Sequence, residues 1–193
     1  DTVEDYIHKI FDSTISTLSL VRDRLSVDLI DEVTRSFVKA SRVYFFGLGA
    51  SSAVAKDAEH KFFRFHCAVA SCEDVLMQRM LAAAAEPGQL FFIISYTGRT
   101  REAVDNAALA RSRGAQVIAL TAPGSPLAEV CDLVIEVAVP EDTDEYMPMT
   151  SRIVHLVVLD SLATGVTLLL GPEFQPRLRR IKESLRSTRY ASD

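Results

Sequence analysis

Five short apolar runs that alternate with helical segments constrain the fold of this chain more than any other feature. The runs are rich in aromatic and β-branched residues, and strands that are apolar on both faces and alternate with helices indicate a parallel sheet covered on each side. We therefore predict an α/β fold: a three-layer αβα sandwich with a five-stranded parallel sheet in the flavodoxin-like order 2-1-3-4-5. The predicted strands lie at 42–47, 67–71, 90–95, 116–121 and 133–139, and the predicted helices between them at 52–65, 75–85, 100–112 and 127–130.

Helical patterns flank this core at both ends of the chain. Apolar residues recur at steps of three and four, which predicts one-faced helices. The stretch 153–170 is strongly apolar, but His155, Asp160 and Gly165 interrupt it, so a buried helix is favoured over a membrane span. The flanking helices are predicted at 3–21, 27–38, 151–170 and 173–187, the last two separated by Gly171 and Pro172.

The length of 193 residues fits one domain with a continuous core. We expect 1–193 to form a single domain, with N-terminal helices over 1–40, the α/β core over 41–140 and C-terminal helices over 141–193. The chain starts at Asp1 without a signal-like segment, which suggests a piece of a longer protein.

Charge and cysteine content narrow the classes of function. The formal net charge of −5 disfavours binding of the whole domain to a nucleic-acid backbone. Cys67, Cys72 and Cys131 form no CxxC pair, so neither a disulfide framework nor a zinc site is indicated. We expect no metal and no cofactor, and a reducing cytoplasm as the location.

Glycine and hydroxyl residues follow the first and third predicted strands. The first strand leads into Gly47-Leu48-Gly49-Ala50-Ser51-Ser52, and the third into Ser95-Tyr96-Thr97-Gly98-Arg99-Thr100. Each sequence runs straight into a helix, whose unpaired amides and dipole favour negative charge. In the predicted order these strands are neighbours where the winding reverses, which is where such sheets bind ligands. We therefore expect both loops to line one anion-binding pocket.

Helix capping is the alternative explanation for these hydroxyls. Serine and threonine at a helix start are ordinary N-caps, and one cap needs a single side chain. The first loop supplies Ser51 and Ser52, and the second supplies Ser95, Thr97 and Thr100. Because this exceeds what two caps use, joint binding of a phosphate or polyol by both loops is favoured.

A dinucleotide site is a competing interpretation. Gly47 and Gly49 follow a strand, and Glu73 and Asp74 follow the next one, at roughly the ~20-residue spacing used to hold a ribose. However, Ser52 stands where that motif has its third glycine, and the motif has no use for a second hydroxyl loop.

Three further polar clusters are interpreted as solvated faces rather than as sites. The cysteines are expected to behave as small buried hydrophobes. The clusters are His60 and His66 beside the helix at 52–65, the acids Glu141, Asp142, Asp144 and Glu145, and the basic residues between 177 and 189.

The two loops resemble those of the SIS, or sugar isomerase, domain, which has a glycine-rich turn with serines after its first strand and a Ser-x-Ser/Thr-Gly-x-Thr turn after its third. Glu73-Asp74-Val75-Leu76-Met77-Gln78-Arg79-Met80 and the segment 140–149 extend the resemblance to the effector domain of RpiR-family bacterial transcription regulators. The resemblance covers nearly the whole chain. It implies a sensor of sugar catabolism, without catalytic activity, that controls an N-terminal helix-turn-helix domain absent from this chain.

The resemblance also implies the ligand and its contacts. The branch of the family that this chain resembles most is expected to bind the sugar phosphate 2-keto-3-deoxy-6-phosphogluconate. By motif match Ser51 and Ser95 are the leading contacts. The supporting contacts are Gly49, Ser52, Thr97, Gly98 and Thr100.

Two expectations concern the wider behaviour of the domain. The apolar excess of the helices at 3–21 and 153–170 predicts a homodimer or higher homo-oligomer. The rival function is a sugar-phosphate isomerase on the same fold, since one scaffold hosts both activities. Such an enzyme needs a general base, for which Glu59, His60 and Glu141 are the candidates.

Overall fold

A computed structural model describes residues 2–139 and 149–188. Its centre is a five-stranded parallel sheet in the order β2-β1-β3-β4-β5, so the predicted fold and strand order are confirmed. The strands are β1 (Arg42–Gly47), β2 (Ala68–Cys72), β3 (Gln89–Ser95), β4 (Gln116–Thr121) and β5 (Leu133–Glu136).

Helices cover both faces of the sheet. One face packs against α1, α2, α3 and α7, and the other against α4, α5 and α6. The helices are α1 (Val3–Arg24), α2 (Val27–Lys39), α3 (Ala50–Phe62), α4 (Val75–Ala83), α5 (Arg101–Ser112), α6 (Pro126–Val130), α7 (Thr150–Leu170) and α8 (Gln175–Glu183), with 3-10 turns at Pro172–Phe174 and Arg186–Thr188.

The central strands fill the core on both faces of the sheet. In β1 the side chain of Phe45 enters the core under α2, α3 and α7, whereas its neighbour Phe46 enters the core under α4 and α5. In β3 Phe92 and Phe91 divide in the same way. This alternation follows from the two-residue period of a strand, and it explains why the central runs are apolar throughout. The edge strand β2 is instead partly exposed along its whole length.

The apolar helix α7 is part of this core. It packs against α1, α2 and α3, and Leu159 and Leu162 are completely buried. By length and composition α7 is the one helix in the described ranges that could cross a membrane. Its buried face shows that it serves as a core helix of the domain, as predicted.

The prediction for the first helix is only half right. α1 forms, but burial within it is confined to Thr17 and Val21 near its C-terminal end. Within the described residues, the apolar side chains of its N-terminal turns are exposed. Residues in these turns with large exposed side chains are Val3, Tyr6, Ile7, Ile10, Phe11 and Ile15.

Two predicted elements are shorter than expected. β5 ends at Glu136 rather than at 139, because β4 ends at Thr121, which pairs with Glu136. The single helix predicted over 173–187 is wrong: a 3-10 turn precedes α8, which ends at Glu183. Leu185 beyond it is 47% exposed, so it adds little apolar burial to a further helical turn.

Candidate functional site

The β1 and β3 loops meet at the carboxyl edge of the sheet. Gly47 pairs with Ile94, which places the residues after each strand side by side. A small cleft of about 20 Å³, partly open to solvent, lies where the two loops meet. It is lined by Phe46, Gly47, Leu48, Gln78, Ile93, Ile94, Ser95, Thr100 and Ala103.

The β1 loop turns tightly into α3. Gly49 has a φ of 54°, in the left-handed region that glycine adopts without strain. The Ser51 amide donates to the Leu48 carbonyl (3.1 Å) and the Ser52 amide to that of Gly49 (3.0 Å). Ser52 Oγ also donates to the Gly49 carbonyl (2.7 Å). Half-buried Ser51 makes no side-chain hydrogen bond within the described ranges, so its hydroxyl is available to a ligand.

Hydrogen bonds within the β3 loop stabilise its conformation. The buried Ser95 Oγ accepts a hydrogen bond from the Gly98 amide (3.2 Å), and Thr97 Oγ1 accepts one from the Arg99 amide (3.4 Å). These bonds set the loop in one conformation, with the hydroxyl protons of both side chains free to donate.

The β4–α6 connection supports the same loop from outside. The Leu127 amide donates to the Gly98 carbonyl (3.0 Å), and the Ala122 amide to the Tyr96 carbonyl (3.1 Å). Gly98, with a φ of 63°, lies so close to Thr121 and Ser125 that a Cβ there would overlap both hydroxyls. The loop is therefore held in place before any ligand arrives.

Helix capping does not account for the hydroxyls of the two loops. α1, α2, α4 and α6 are each capped by the side chain of their N-cap residue. α3 and α5, the helices that follow the two loops, have no such side-chain cap. In the described structure the first three amides of α5 also donate to no protein acceptor. Two helices without a side-chain cap thus start from two neighbouring loops, and the N-terminus of α5 borders the cleft, an arrangement suited to an anion.

The charges around the second loop favour an anion as well. Arg99 lies in the loop and Arg101 opens α5, and both side chains are exposed. Glu102 is the acidic residue of that first turn. The two arginines can therefore attract a phosphate to the loop.

Of the ligand contacts predicted from the sequence, two line the cleft and five do not. Ser95 and Thr100 line the cleft. Gly49, Ser51, Ser52, Thr97 and Gly98 lie in the same two loops but outside the lining. Sequence reasoning missed Gln78, which reaches the cleft from α4 although the helix lies after β2. Gln78 lies in the segment 73–80 that carries the family resemblance, but its pattern does not indicate a site, because a glutamine between apolar helical residues normally indicates the solvated side of a helix.

Two of the three candidate general bases, Glu59 and His60, lie outside the cleft lining. Glu59 Oε2 accepts hydrogen bonds from Lys56 Nζ (2.7 Å), the Ser71 amide (3.2 Å) and Ser71 Oγ. Partial burial raises the pKa of Glu59, but the hydrogen bonds from Lys56 and Ser71 outweigh it and hold the pKa below its ordinary value. His60 is exposed beside Phe63, and Glu141 lies outside the described residues. Glu59 is therefore a structural link between α3 and β2 and a weak base.

The described residues of the other polar clusters form no recognisable ribose or metal site. Asp74, the candidate ribose contact, uses its carboxylate to cap α4 at the Met77 amide (2.7 Å). No three His, Cys, Asp or Glu side chains in 2–139 and 149–188 are grouped to hold a metal ion. The acidic cluster of Glu141, Asp142, Asp144 and Glu145 lies outside those ranges. In α8 the apolar Leu178 and Ile181 are half-buried while the basic residues around them are mostly exposed, as predicted.

Comparison with known proteins gives a family match over the region that forms the sheet. Residues 36–165 match the SIS domain family. This range contains all five strands and both loops of the cleft.

Two curated relatives match over nearly the whole chain. HTH-type transcriptional regulator HexR of Pseudomonas aeruginosa is 58% identical over 193 residues, covering 100% of this chain and 68% of the relative. HTH-type transcriptional regulator HexR of Escherichia coli (strain K12) is 47% identical over 190 residues, covering 98% of this chain and 66% of the relative. The chain thus spans about two thirds of the length of these regulators.

A solved structure with the same fold is the Vibrio vulnificus NanR protein complexed with ManNAc-6P. It aligns with a TM-score of 0.89 at 23% identity, covering 98% of this chain and 72% of that one. At this identity the likeness concerns the fold.

Proposed function

The chain belongs to the SIS domain family and to the HexR group of transcriptional regulators, and we propose that it is the part of such a regulator that senses a sugar phosphate. The observation that carries the proposal is that two neighbouring loops, each leading into a helix without a side-chain cap (α3 and α5), meet at one cleft lined by the hydroxyl residues Ser95 and Thr100. A phosphate group matches the donors gathered there, because its oxygens accept hydrogen bonds from amides and hydroxyls and its charge is stabilised by the helix dipole.

The phosphate binds at the β3 loop in this proposal. The free amides at the start of α5 and the hydroxyls of Ser95, Thr97 and Thr100 surround it, Gly98 forms the turn of the loop, and Arg99 lies close by. Because the loop is already held by its own hydrogen bonds and by the β4–α6 connection, little ordering is needed on binding. Binding energy is then available to select the ligand.

The β1 loop contacts the ligand from the opposite side. Ser51 has a free hydroxyl in the described structure, and Ser52 adds a second one beside Gly49. These residues hold the phosphate or the sugar-acid end. We propose 2-keto-3-deoxy-6-phosphogluconate as the ligand, a choice that rests on the family resemblance.

A sensor is favoured over an isomerase by the state of Glu59. Isomerisation needs a base that can take a proton from carbon, with a pKa near the working pH. The carboxylate of Glu59 instead accepts three hydrogen bonds and its pKa is lowered. The named relatives are transcriptional regulators, which agrees with binding without turnover.

In the complete regulator, binding is proposed to change the arrangement of a homodimer. A ligand shifts such an equilibrium only by its differential affinity for the two states. The shift would alter the spacing of two helix-turn-helix domains outside this chain, and with it DNA binding in the cytoplasm. The exposed apolar turns of α1 support a second copy of this chain as the partner.

The test is titration of the domain with a panel of phosphate compounds. Calorimetry with 2-keto-3-deoxy-6-phosphogluconate, 6-phosphogluconate and glucose 6-phosphate measures affinity, and phosphorus NMR follows each compound for conversion. Tight binding of one sugar phosphate without conversion is the expected result. Conversion that is lost in Glu59→Gln or His60→Ala would establish an isomerase, and absence of binding to a folded domain would exclude the sensor.

A further inference from the structure

Gln78 is a buried polar residue that the proposed contacts do not include. Its side chain is 1% exposed and lines the cleft together with Ser95 and Thr100. It belongs to α4, whereas the two loops belong to β1 and β3. A buried amide in such a place needs hydrogen-bond partners, since an unpaired one is unfavourable.

The amide nitrogen of Gln78 has its partners in the sheet. Nε2 donates to the carbonyl of Cys72 at the end of β2 (2.7 Å) and to that of Gly47 at the end of β1 (3.4 Å). Both carbonyls can only accept, so they fix which end of the side-chain amide faces them. The glutamine oxygen Oε1 must therefore point away from the two carbonyls.

The oxygen Oε1 has no partner of its own. No donor in the described part of the chain reaches it, although Gln78 is almost completely buried. Gln78 lines the cleft, which is partly open to solvent. The two hydrogen bonds of Nε2 thus fix the side-chain amide of Gln78, and with it the acceptor Oε1, at the wall of the cleft.

Oε1 is a hydrogen-bond acceptor, whereas the groups that the β3 loop and α5 offer are donors. Ser95, Thr100 and the amides of α5 offer donors, which suit phosphate oxygens. Oε1 offers a lone pair, which suits a hydroxyl proton and repels a phosphate oxygen. The cleft therefore distinguishes the two ends of a molecule that carries both groups.

We infer that Gln78 is a specificity-determining residue, whose Oε1 accepts a hydrogen bond from a hydroxyl of the sugar part while the phosphate lies at the β3 loop. The inference rests on the proposed sugar-phosphate function and adds an orientation to it. It requires the ligand to present a hydroxyl toward α4. Phosphate alone makes no use of Gln78.

The experiment compares two ligands on two proteins. The panel compound that binds the wild-type domain most tightly and inorganic phosphate are titrated into wild type and Gln78→Met. The variant keeps the length of the side chain and removes the acceptor. We expect its affinity for the sugar phosphate to fall by about three- to tenfold, the effect of one hydrogen bond, with the affinity for inorganic phosphate unchanged.

A matched substitution and a deoxy ligand separate recognition from structural damage. Gln89→Met makes the same chemical change at the opposite end of β3 and should leave both affinities unchanged. An analogue in which the recognised hydroxyl is replaced by hydrogen should bind wild type more weakly and bind Gln78→Met as well as the parent compound does. If Gln78→Met is unfolded by circular dichroism, Gln78→Asn is used in its place and should weaken binding of the parent compound alone.

The outcomes distinguish the two proposals. If a folded wild type binds no sugar phosphate, the sensor function and this inference both fail. If wild type binds and the Gln78 variant loses equal affinity for sugar phosphate and inorganic phosphate, or loses none, Gln78 recognises no hydroxyl while the sensor function stands. Deoxy analogues that all bind wild type as tightly as the parent compound would also overturn the inference.

Discussion

Gly47 packs directly against the backbone of Ser51, where a Cβ at position 47 would lie 2.7 Å from the Ser51 carbonyl carbon. The first turn of α3 therefore crosses the end of β1 at a distance that only glycine permits. Both partners are constrained, since Gly47 is in the sheet and Ser51 is in a helix. This contact holds the backbone of Ser51 against Gly47, which lines the cleft.

Replacing Gly47 by alanine should therefore destabilise the domain. The added methyl group meets backbone rather than a flexible side chain, and overpacking of this kind costs about 1–3 kcal/mol of unfolding free energy. Chemical denaturation monitored by circular dichroism measures the effect. Gly124→Ala is the comparison, because no atom lies within 4 Å of its added Cβ and only the positive φ opposes it. A smaller loss for Gly47→Ala than for Gly124→Ala would contradict the close contact.

Alanine at Ser51 and at Ser95 should affect the domain in different ways. Each substitution removes a donor to the ligand and should weaken sugar-phosphate binding by about one to two powers of ten. Ser95→Ala also leaves the Gly98 amide without its acceptor, so it should lower thermal stability, whereas Ser51→Ala should not. Calorimetry and thermal melting measure the two effects.

Ser112→Ala is the control for both serine variants. Its hydroxyl bonds to the Leu109 carbonyl (2.7 Å) on an exposed part of α5, away from the cleft. Affinity should remain at the wild-type level. Unchanged affinity in Ser51→Ala and Ser95→Ala together would show that the ligand binds elsewhere.

The sequence was sufficient to predict the sheet, because the runs of β1, β3 and β4 are buried on both faces and carry a strong local signal. The pair of hydroxyl loops followed from their positions after strands one and three. Gln78 could not be found in this way, since its role depends on where the ends of β1 and β2 lie relative to α4. The exposure of the apolar side of α1 could not be predicted either, because periodicity predicts a helix with one apolar side but does not show what covers that side.

Glu59 should make stability depend on pH. Its pKa is lowered in the folded state, so the unfolded chain takes up the proton more readily, and the carboxylate stabilises the fold above the ordinary pKa of 4.5. This contribution is lost as the pH falls from that value through the lowered folded pKa. Glu59→Gln should therefore be less stable than wild type at neutral pH, with the difference shrinking in acid.

Urea denaturation across this pH range checks the prediction. Asp31→Asn is a suitable control, because Asp31 pairs with Arg35 on the surface of α2 (2.8 Å), where an ion pair contributes little. A Glu59→Gln stability difference that stays constant from neutral to acid pH would rule out the carboxylate as its source.

Cys131 should resist thiol reagents in the native protein. Burial, with a smaller contribution from the charge of Asp132, raises the pKa of its thiol to about 12. The reactive thiolate is then scarce at about pH 8. Cys67 and Cys72 are only partly buried, so they should be labelled first, although burial raises the pKa of each. Mass spectrometry after alkylation in native buffer and in denaturant identifies the labelled sites. Native labelling of Cys131 at the rate of Cys72 would contradict its burial.

The exposed turns of α1 should form the contact between two copies of the chain. Ile7 and Phe11 lie one turn apart on the same side of the helix, and they are 46% and 65% exposed. An apolar surface of this kind is unfavourable in water unless a partner covers it. Replacing both residues by aspartate would place two charges in the contact and convert a dimer to a monomer.

Sedimentation at micromolar concentration measures this change. A control variant and a check of folding are needed to interpret it. Lys9→Glu alters an exposed residue between the two on a different side of the helix, so it should leave the dimer intact. Because α1 carries few core residues before Thr17, the double variant should keep its fold, which circular dichroism can verify. A wild type that sediments as a monomer would remove the second copy as the partner of α1, and a double variant that remains dimeric would move the contact to another surface.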